Sequence, residues 1–120
     1  MSHILIVEDD PDIREDLAEL LRARGHEVTT ASNGREALDG LRQGALPRVI
    51  LLDLMMPVMN GWEFRSQMMQ DPQLASIPVL VLSGVADVRL HAKTLQVDGF
   101  VAKPIDLDRL YAEMDRYARP

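Results

Sequence analysis

The sequence predicts a doubly wound α/β fold, a five-stranded parallel sheet in the order 2-1-3-4-5 with five helices. Three observations carry this. Short apolar runs alternate with amphipathic stretches along all 120 residues. The runs Ile4-Leu5-Ile6-Val7, Val49-Ile50-Leu51-Leu52 and Val79-Leu80-Val81-Leu82 are uniformly apolar, as strands covered on both faces must be. Half-polar Val28-Thr29-Thr30-Ala31 and the very short Phe100-Val101-Ala102 suit the two edges of that order.

Each element has a local reason. The first run is too short for a helix and rich in β-branched residues, so it reads as a strand. Asp10-Pro11 then supplies an N-cap and a proline at the first helical position. Ile13, Leu17, Leu20 and Leu21 form one apolar helix face, and Gly25 is the expected stop. Asn33 can cap a second helix carrying Ala37, Leu38 and Leu41, which ends near Gly44. The third strand ends at Asp53, and a loop with Pro57 and Asn60-Gly61 leads to a third helix near Trp62 that includes Phe64 and Met68. The fourth strand ends at Ser83, and Val88, Ala92 and Leu95 mark a fourth helix. The last strand ends at Lys103-Pro104, and Asp106 caps a final helix carrying Leu107, Leu110, Tyr111 and Met114. Five such βα units in succession imply a parallel sheet with helices on both faces. We expect residues 1–120 to form one domain.

Composition removes several classes of function. With 47% hydrophobic residues the chain can build a core, so disorder is not expected. The net charge of −6 gives no basic face for nucleic acid and disfavours anionic membrane surfaces. The absence of cysteine excludes disulfides, thiolate metal sites and Cys nucleophiles. No targeting segment or membrane span is visible, so a cytoplasmic protein is the expectation.

In a sheet of this order, ligands bind at the carboxyl ends of the strands. Those ends carry Glu8, Asp9 and Asp10, then Asp53, Ser83 and Lys103. Adjacent first and third strands bring Asp9, Asp10 and Asp53 together, with Ser83 and Lys103 on the other side of Asp53. Clustered carboxylates repel, and a hard divalent cation relieves the repulsion. Oxygen-only ligands select Mg²⁺. Lys103 adds a point charge suited to a phosphoryl oxygen. Three carboxylates, one ammonium and one divalent cation sum to zero, a pocket that can accept phosphate. Glu8 is read as peripheral. His3, His26 and His91 have no ligand spacing and are read as surface or packing residues.

The chain resembles the response-regulator receiver domains of two-component signalling. The matching pieces are Val7-Glu8-Asp9-Asp10, Leu52-Asp53-Leu54-Met55-Met56-Pro57-Val58-Met59-Asn60-Gly61, Leu82-Ser83-Gly84 and Gly99-Phe100-Val101-Ala102-Lys103-Pro104. The likeness implies a CheY-like, flavodoxin-like fold with Asp53 as phosphoacceptor. It implies Mg²⁺ on Asp10, Asp53 and the Met55 carbonyl, with Asp9 acting mainly through water. Lys103 would bind the phosphoryl group, with Lys103-Pro104 typically cis. Ser83 and Phe100 would hold the hydroxyl and aromatic switch positions. The partners implied are a histidine kinase or histidine phosphotransfer protein and a downstream effector protein. The surface that switches would be the fourth helix, fifth strand and final helix. Such a domain is no enzyme in the ordinary sense, because it catalyses only its own phosphorylation and dephosphorylation.

Rival readings fit less well. A haloacid-dehalogenase-type phosphatase needs a second Asp two residues past the first, where this chain has Met55. A flavodoxin-like FMN carrier must cradle phosphate after the first strand, where Glu8-Asp9-Asp10-Pro11-Asp12 would repel it. The alternative that remains is a phosphorylation-independent pseudo-receiver acting as an interaction module. Such a module normally lacks the acceptor or the acidic pair, and both are present.

Overall fold

The computed structural model describes residues 3–44, 46–83 and 97–118. The strands are β1 (His3–Val7), β2 (Glu27–Ala31), β3 (Val49–Asp53), β4 (Val79–Ser83) and β5 (Gly99–Ala102). The described helices are α1 (Pro11–Ala23), α2 (Gly34–Arg42), α3 (Gly61–Met69), the one-turn α4 (Pro72–Ala75) and α5 (Leu107–Tyr117). All neighbouring strands are parallel, in the order β2-β1-β3-β4-β5. The predicted fold class and strand order therefore hold. The predicted helix around Val88, Ala92 and Leu95 lies outside the described residues. The turn α4 was not anticipated. It is started by Asp71, whose side chain accepts from the Gln73 N–H with Pro72 next to it, a cap and proline pair like that of α1.

Alternation along the strands divides the core in two. Ile4, Ile6, Val49, Leu51, Leu80 and Leu82 face α1 and α5, where they meet Leu17, Leu21, Leu110 and Met114. Leu5, Val7, Ile50, Leu52 and Val79 face α2 and α3, where they meet Leu38, Leu41, Phe64 and Met68. β3 is buried throughout, whereas β2 keeps Glu27 and Thr29 exposed and Val28 and Ala31 buried, as a partly wet edge strand does. Among the described residues, no helix is long and apolar enough to cross a membrane.

The loops at the carboxyl end of the sheet are tied down. Asn60 caps α3, with its side chain on the Glu63 N–H and the Glu63 carboxylate on the Asn60 N–H. The Gly61 N–H donates to Leu54 O at 3.0 Å and the Gly34 N–H to Met59 O at 3.0 Å. These two bonds anchor the β3–α3 loop, which begins just after Asp53. Within it Val58 adopts φ 67°, a left-handed conformation that strains a β-branched residue. The Lys103–Pro104 peptide is cis, as the family resemblance implies.

His26 lies at the opposite end of the sheet. It is buried, and its Nδ1 has no hydrogen-bond partner among the described residues. Burial, helped by the positive charge of Arg24, lowers its pKa from the ordinary 6.5. The unfolded chain therefore takes up this proton at higher pH than the folded one. The His26 contribution is fully present above the unfolded pKa and is lost as pH falls toward the depressed folded value. Urea midpoints measured between pH 7 and pH 5 should fall more steeply for wild type than for His26→Leu; parallel curves would contradict this.

Candidate functional site

Four side chains meet where the strands end. Glu8 follows β1, and its N–H extends the ladder by donating to Ala31 O at 3.1 Å. Asp53 closes β3 and is only 4% exposed. Lys103 follows β5. Its Nζ stands 2.6 Å from Glu8 Oε1 and 3.6 Å from Asp53 Oδ2. Asp9, exposed, completes the group: one carboxylate oxygen from each of Glu8, Asp9 and Asp53 lies within 4.8 Å of the others.

The structure corrects two expectations. Glu8 is not peripheral. Its carboxylate is wholly buried, and it makes the closer of the two contacts to Lys103. Its backbone carbonyl is also held, accepting from Arg14 Nη1 at 3.0 Å. Asp10, expected as a metal ligand, is not in the cluster. Its Oδ1 accepts from the N–H groups of Asp12 and Ile13 at 2.9 and 3.2 Å, so this oxygen caps α1. The acidic group is thus displaced by one residue, to Glu8, Asp9 and Asp53.

The signal that locates Glu8 was in the sequence. Side chains alternate along a strand, so Ile4, Ile6 and Glu8 share a face, as do Val49, Leu51 and Asp53. Val7 pairs with Leu52, so the next residues, Glu8 and Asp53, come side by side. Lys103 reaches the same face two residues after buried Val101. Asp10, one step further out, falls where the chain must already turn into α1.

The electrostatics follow from burial and proximity. Burial raises the Glu8 pKa, and the adjacent Asp53 carboxylate pushes the same way, against the opposing pull of Lys103. Burial alone would lower the Lys103 pKa. The hydrogen bond to Glu8 and the negative charge of Asp53 outweigh it, so the ammonium is held above its ordinary value. Three carboxylates facing one ammonium leave a local excess of two negative charges. Hard oxygen donors with that excess fit a small divalent cation such as Mg²⁺.

The remaining expected residues sit around this group. The Met55 N–H reaches toward Asp53 Oδ1 at 3.4 Å, and the Met55 side chain is 63% exposed. Ser83 ends β4 and pairs with Ala102 in register, which places it beside the strand that leads to Lys103. Phe100, half-buried in β5, lies under the Arg109 guanidinium at 5.3 Å from its ring centroid. A cavity of about 390 Å³ lies away from these residues, between β2 and α2.

Known proteins resemble this chain in sequence and fold. The family model of the response regulator receiver domain matches residues 4–115. Protein PilH of Pseudomonas aeruginosa is 31% identical over 112 residues, 92% of each chain. Hybrid signal transduction histidine kinase D of Dictyostelium discoideum is 38% identical over 113 residues, 92% of this chain but 7% of that protein. Rre1 of Synechocystis is 35% identical, and the chain spans 48% of its length. Among solved structures, the response regulator TrrA of Thermotoga maritima, in complex with Mg²⁺ and BeF, superposes with a TM-score of 0.86 at 30% identity, covering 98% of this chain and 99% of that one. With the family model spanning nearly the whole chain, and with the fold and strand-end acidic group in place, this protein belongs to the response regulator receiver domain family.

Proposed function

We propose that residues 1–120 are one receiver domain that accepts a phosphoryl group on Asp53 from the phosphohistidine of a histidine kinase or histidine phosphotransfer protein. The observation that carries this reading is the buried Asp53 carboxylate, with Lys103 Nζ 3.6 Å away and two further carboxylates beside it. An Asp53 oxygen attacks phosphorus, the P–N bond to the donor imidazole breaks, and the imidazole keeps the electron pair and takes a proton. Lys103 pairs with the negative oxygens of the incoming group. Glu8, Asp9 and Asp53 would hold Mg²⁺ together with the Met55 carbonyl. When bound, the ion supplies positive charge against the carboxylates and the transferring oxygens.

The acceptor is used up at each transfer, so the domain is a switch rather than a turnover enzyme. Ser83 would donate its hydroxyl to a phosphoryl oxygen, and Phe100 would follow. The change would then reach the surface around β5 and α5, where an effector protein reads it. Relatives that are histidine kinases or response regulators support a kinase partner. The pseudo-receiver alternative predicts no phosphoryl uptake. Incubation with acetyl phosphate should add one phosphoryl group to the intact mass with Mg²⁺ present, and none with a chelator. No uptake in either condition would favour the alternative.

A further inference from the structure

We infer that the cavity between β2 and α2 is a binding site for a small organic ammonium ion, a primary amine carried on an aliphatic or aromatic body. The inference goes beyond the proposed function and does not depend on it. The cavity exists because β2 is an edge strand. On this side of the sheet Ala37, Leu38 and Leu41 of α2 pack with Leu5 and Val7 of β1 and Ile50 of β3. Glu27, Thr29 and Ala31 share that face of β2. Ala31 joins the core there, while Glu27 and Thr29 stay exposed. The uncovered space is about 390 Å³, within the usual range of small-ligand pockets. Its apolar lining includes Leu5, Ala37, Leu41, Leu46 and Pro47.

Charge selects the ligand. Glu27 and Glu36 line the cavity, and among the described residues no lysine or arginine does. Nor does any ion pair among the described residues neutralise either carboxylate. Glu36 Oε2 accepts from the Ser32 hydroxyl at 2.8 Å, which steadies its side chain. His3, the register partner of Glu27, has its Nε2 2.8 Å from the Thr29 hydroxyl and adds polar atoms to the same wall. An organic ammonium answers both parts of this lining. Its charge pairs with the carboxylates, and its apolar body covers the leucines. A peptide adding as a sixth strand is disfavoured, because Arg22 Nη2 already donates to Val28 O of the edge strand at 3.0 Å. Gly40 is a second, independent sign. Residues 36, 37, 40 and 41 share the face of α2 that lines the cavity. Glycine within a helix is less stable than alanine. Packing does not ask for it here, since an added Cβ at Gly40 would meet no atom within 4 Å. Keeping the cavity open does ask for it.

The test is an NMR titration of the unphosphorylated full chain with 2-phenylethylamine, against the neutral 2-phenylethanol and the anion 3-phenylpropionate. The amine should shift the amides of Thr29, Ala31, Ala37 and Leu41 saturably, with a Kd of about 1 mM or tighter, an ordinary affinity for so small a ligand. The alcohol and the anion should bind at least about fivefold more weakly, as loss of exposed ion pairs implies. Glu27→Gln combined with Glu36→Gln should weaken amine binding by about the same factor and leave the alcohol unchanged. Gly40→Leu should abolish saturation by the amine, because its side chain fills the cavity. All three positions are exposed, so the variants should fold. Absence of saturable shifts at these amides in wild type would overturn the inference. So would equal binding of the amine and the alcohol, or a folded Gly40→Leu that binds the amine as wild type does. Amine binding untouched by the paired Gln variant would overturn it as well, whether or not Gly40→Leu folds.

Discussion

Asp9→Ala is expected to weaken Mg²⁺ binding by about 100-fold or more and to slow phosphoryl uptake from a small donor in step, while the fold survives. Replacing outer partners of metal ligands typically costs 10–100-fold, about the least that loss of a ligand should do. Asp9 is exposed, so its removal leaves no cavity, yet its oxygen belongs to the group shared with Glu8 and Asp53. Asp10→Ala should behave in the opposite way. It removes the two cap bonds to Asp12 and Ile13, for a stability loss of about 1 kcal/mol. Mg²⁺ affinity should stay within about threefold of wild type, because a peripheral charge acts only through screened Coulomb interaction. Isothermal calorimetry and urea denaturation of the two variants separate these outcomes. The reverse pattern would restore the ligand set that the sequence suggested.

That contrast shows where the sequence is legible and where it is not. The fold could be read because each strand announces its surroundings. Val49-Ile50-Leu51-Leu52 is apolar on every position and is buried on every position. Glu27 and Thr29 are polar, and they lie on the exposed positions of an edge strand. Caps at Asp10, Asn33 and Asp106 mark helix starts because the side chain must satisfy N–H groups nearby in sequence. Asp53 and Lys103 could be placed because each ends a strand. Glu8 and Asp10 were exchanged because both are acidic and flank Asp9, and composition alone cannot rank them. Alternation puts both on the face of Ile4 and Ile6, and the end of the strand ranks them: Glu8 still continues the β1 ladder, whereas Asp10 already caps α1. The pairing of Glu8 with Lys103 spans 95 residues of sequence and depends on how β1 and β5 converge, which no local pattern encodes.

Gly61→Ala is expected to be the most damaging of the glycine substitutions among the described residues. A Cβ there would lie 2.7 Å from Asp53 O and 2.7 Å from Leu54 Cα, both backbone atoms with little room to yield. The bond from the Gly61 N–H to Leu54 O would have to stretch, and the β3–α3 loop would shift with it. Overpacking of this kind costs about 1–3 kcal/mol or more, which lowers Tm by about 10 °C for a chain of this size. The acceptor's own carbonyl is one of the clashing atoms, so phosphoryl uptake by the folded fraction should slow as well. Gly40→Ala provides the internal contrast. Gly40 lies within α2 with nothing within 4 Å of its added Cβ, so that variant should gain about 0.5–1 kcal/mol. Thermal melts of the two variants should move in opposite directions. A Gly61→Ala melt within a degree or two of wild type would mean that the loop is not pinned as described.

The central claim is that Asp53 alone carries the phosphoryl group, and chemical trapping tests it most directly. Wild type and Asp53→Asn are incubated with acetyl phosphate and Mg²⁺, then reduced with borohydride. Reduction converts an aspartyl phosphate, and no free carboxylate, to the alcohol. Peptide mass spectrometry should find the reduced residue at position 53 of wild type and at no position of Asp53→Asn. Trapping at Glu8 or Asp9 in wild type, or equal phosphoryl uptake by both proteins, would contradict the account.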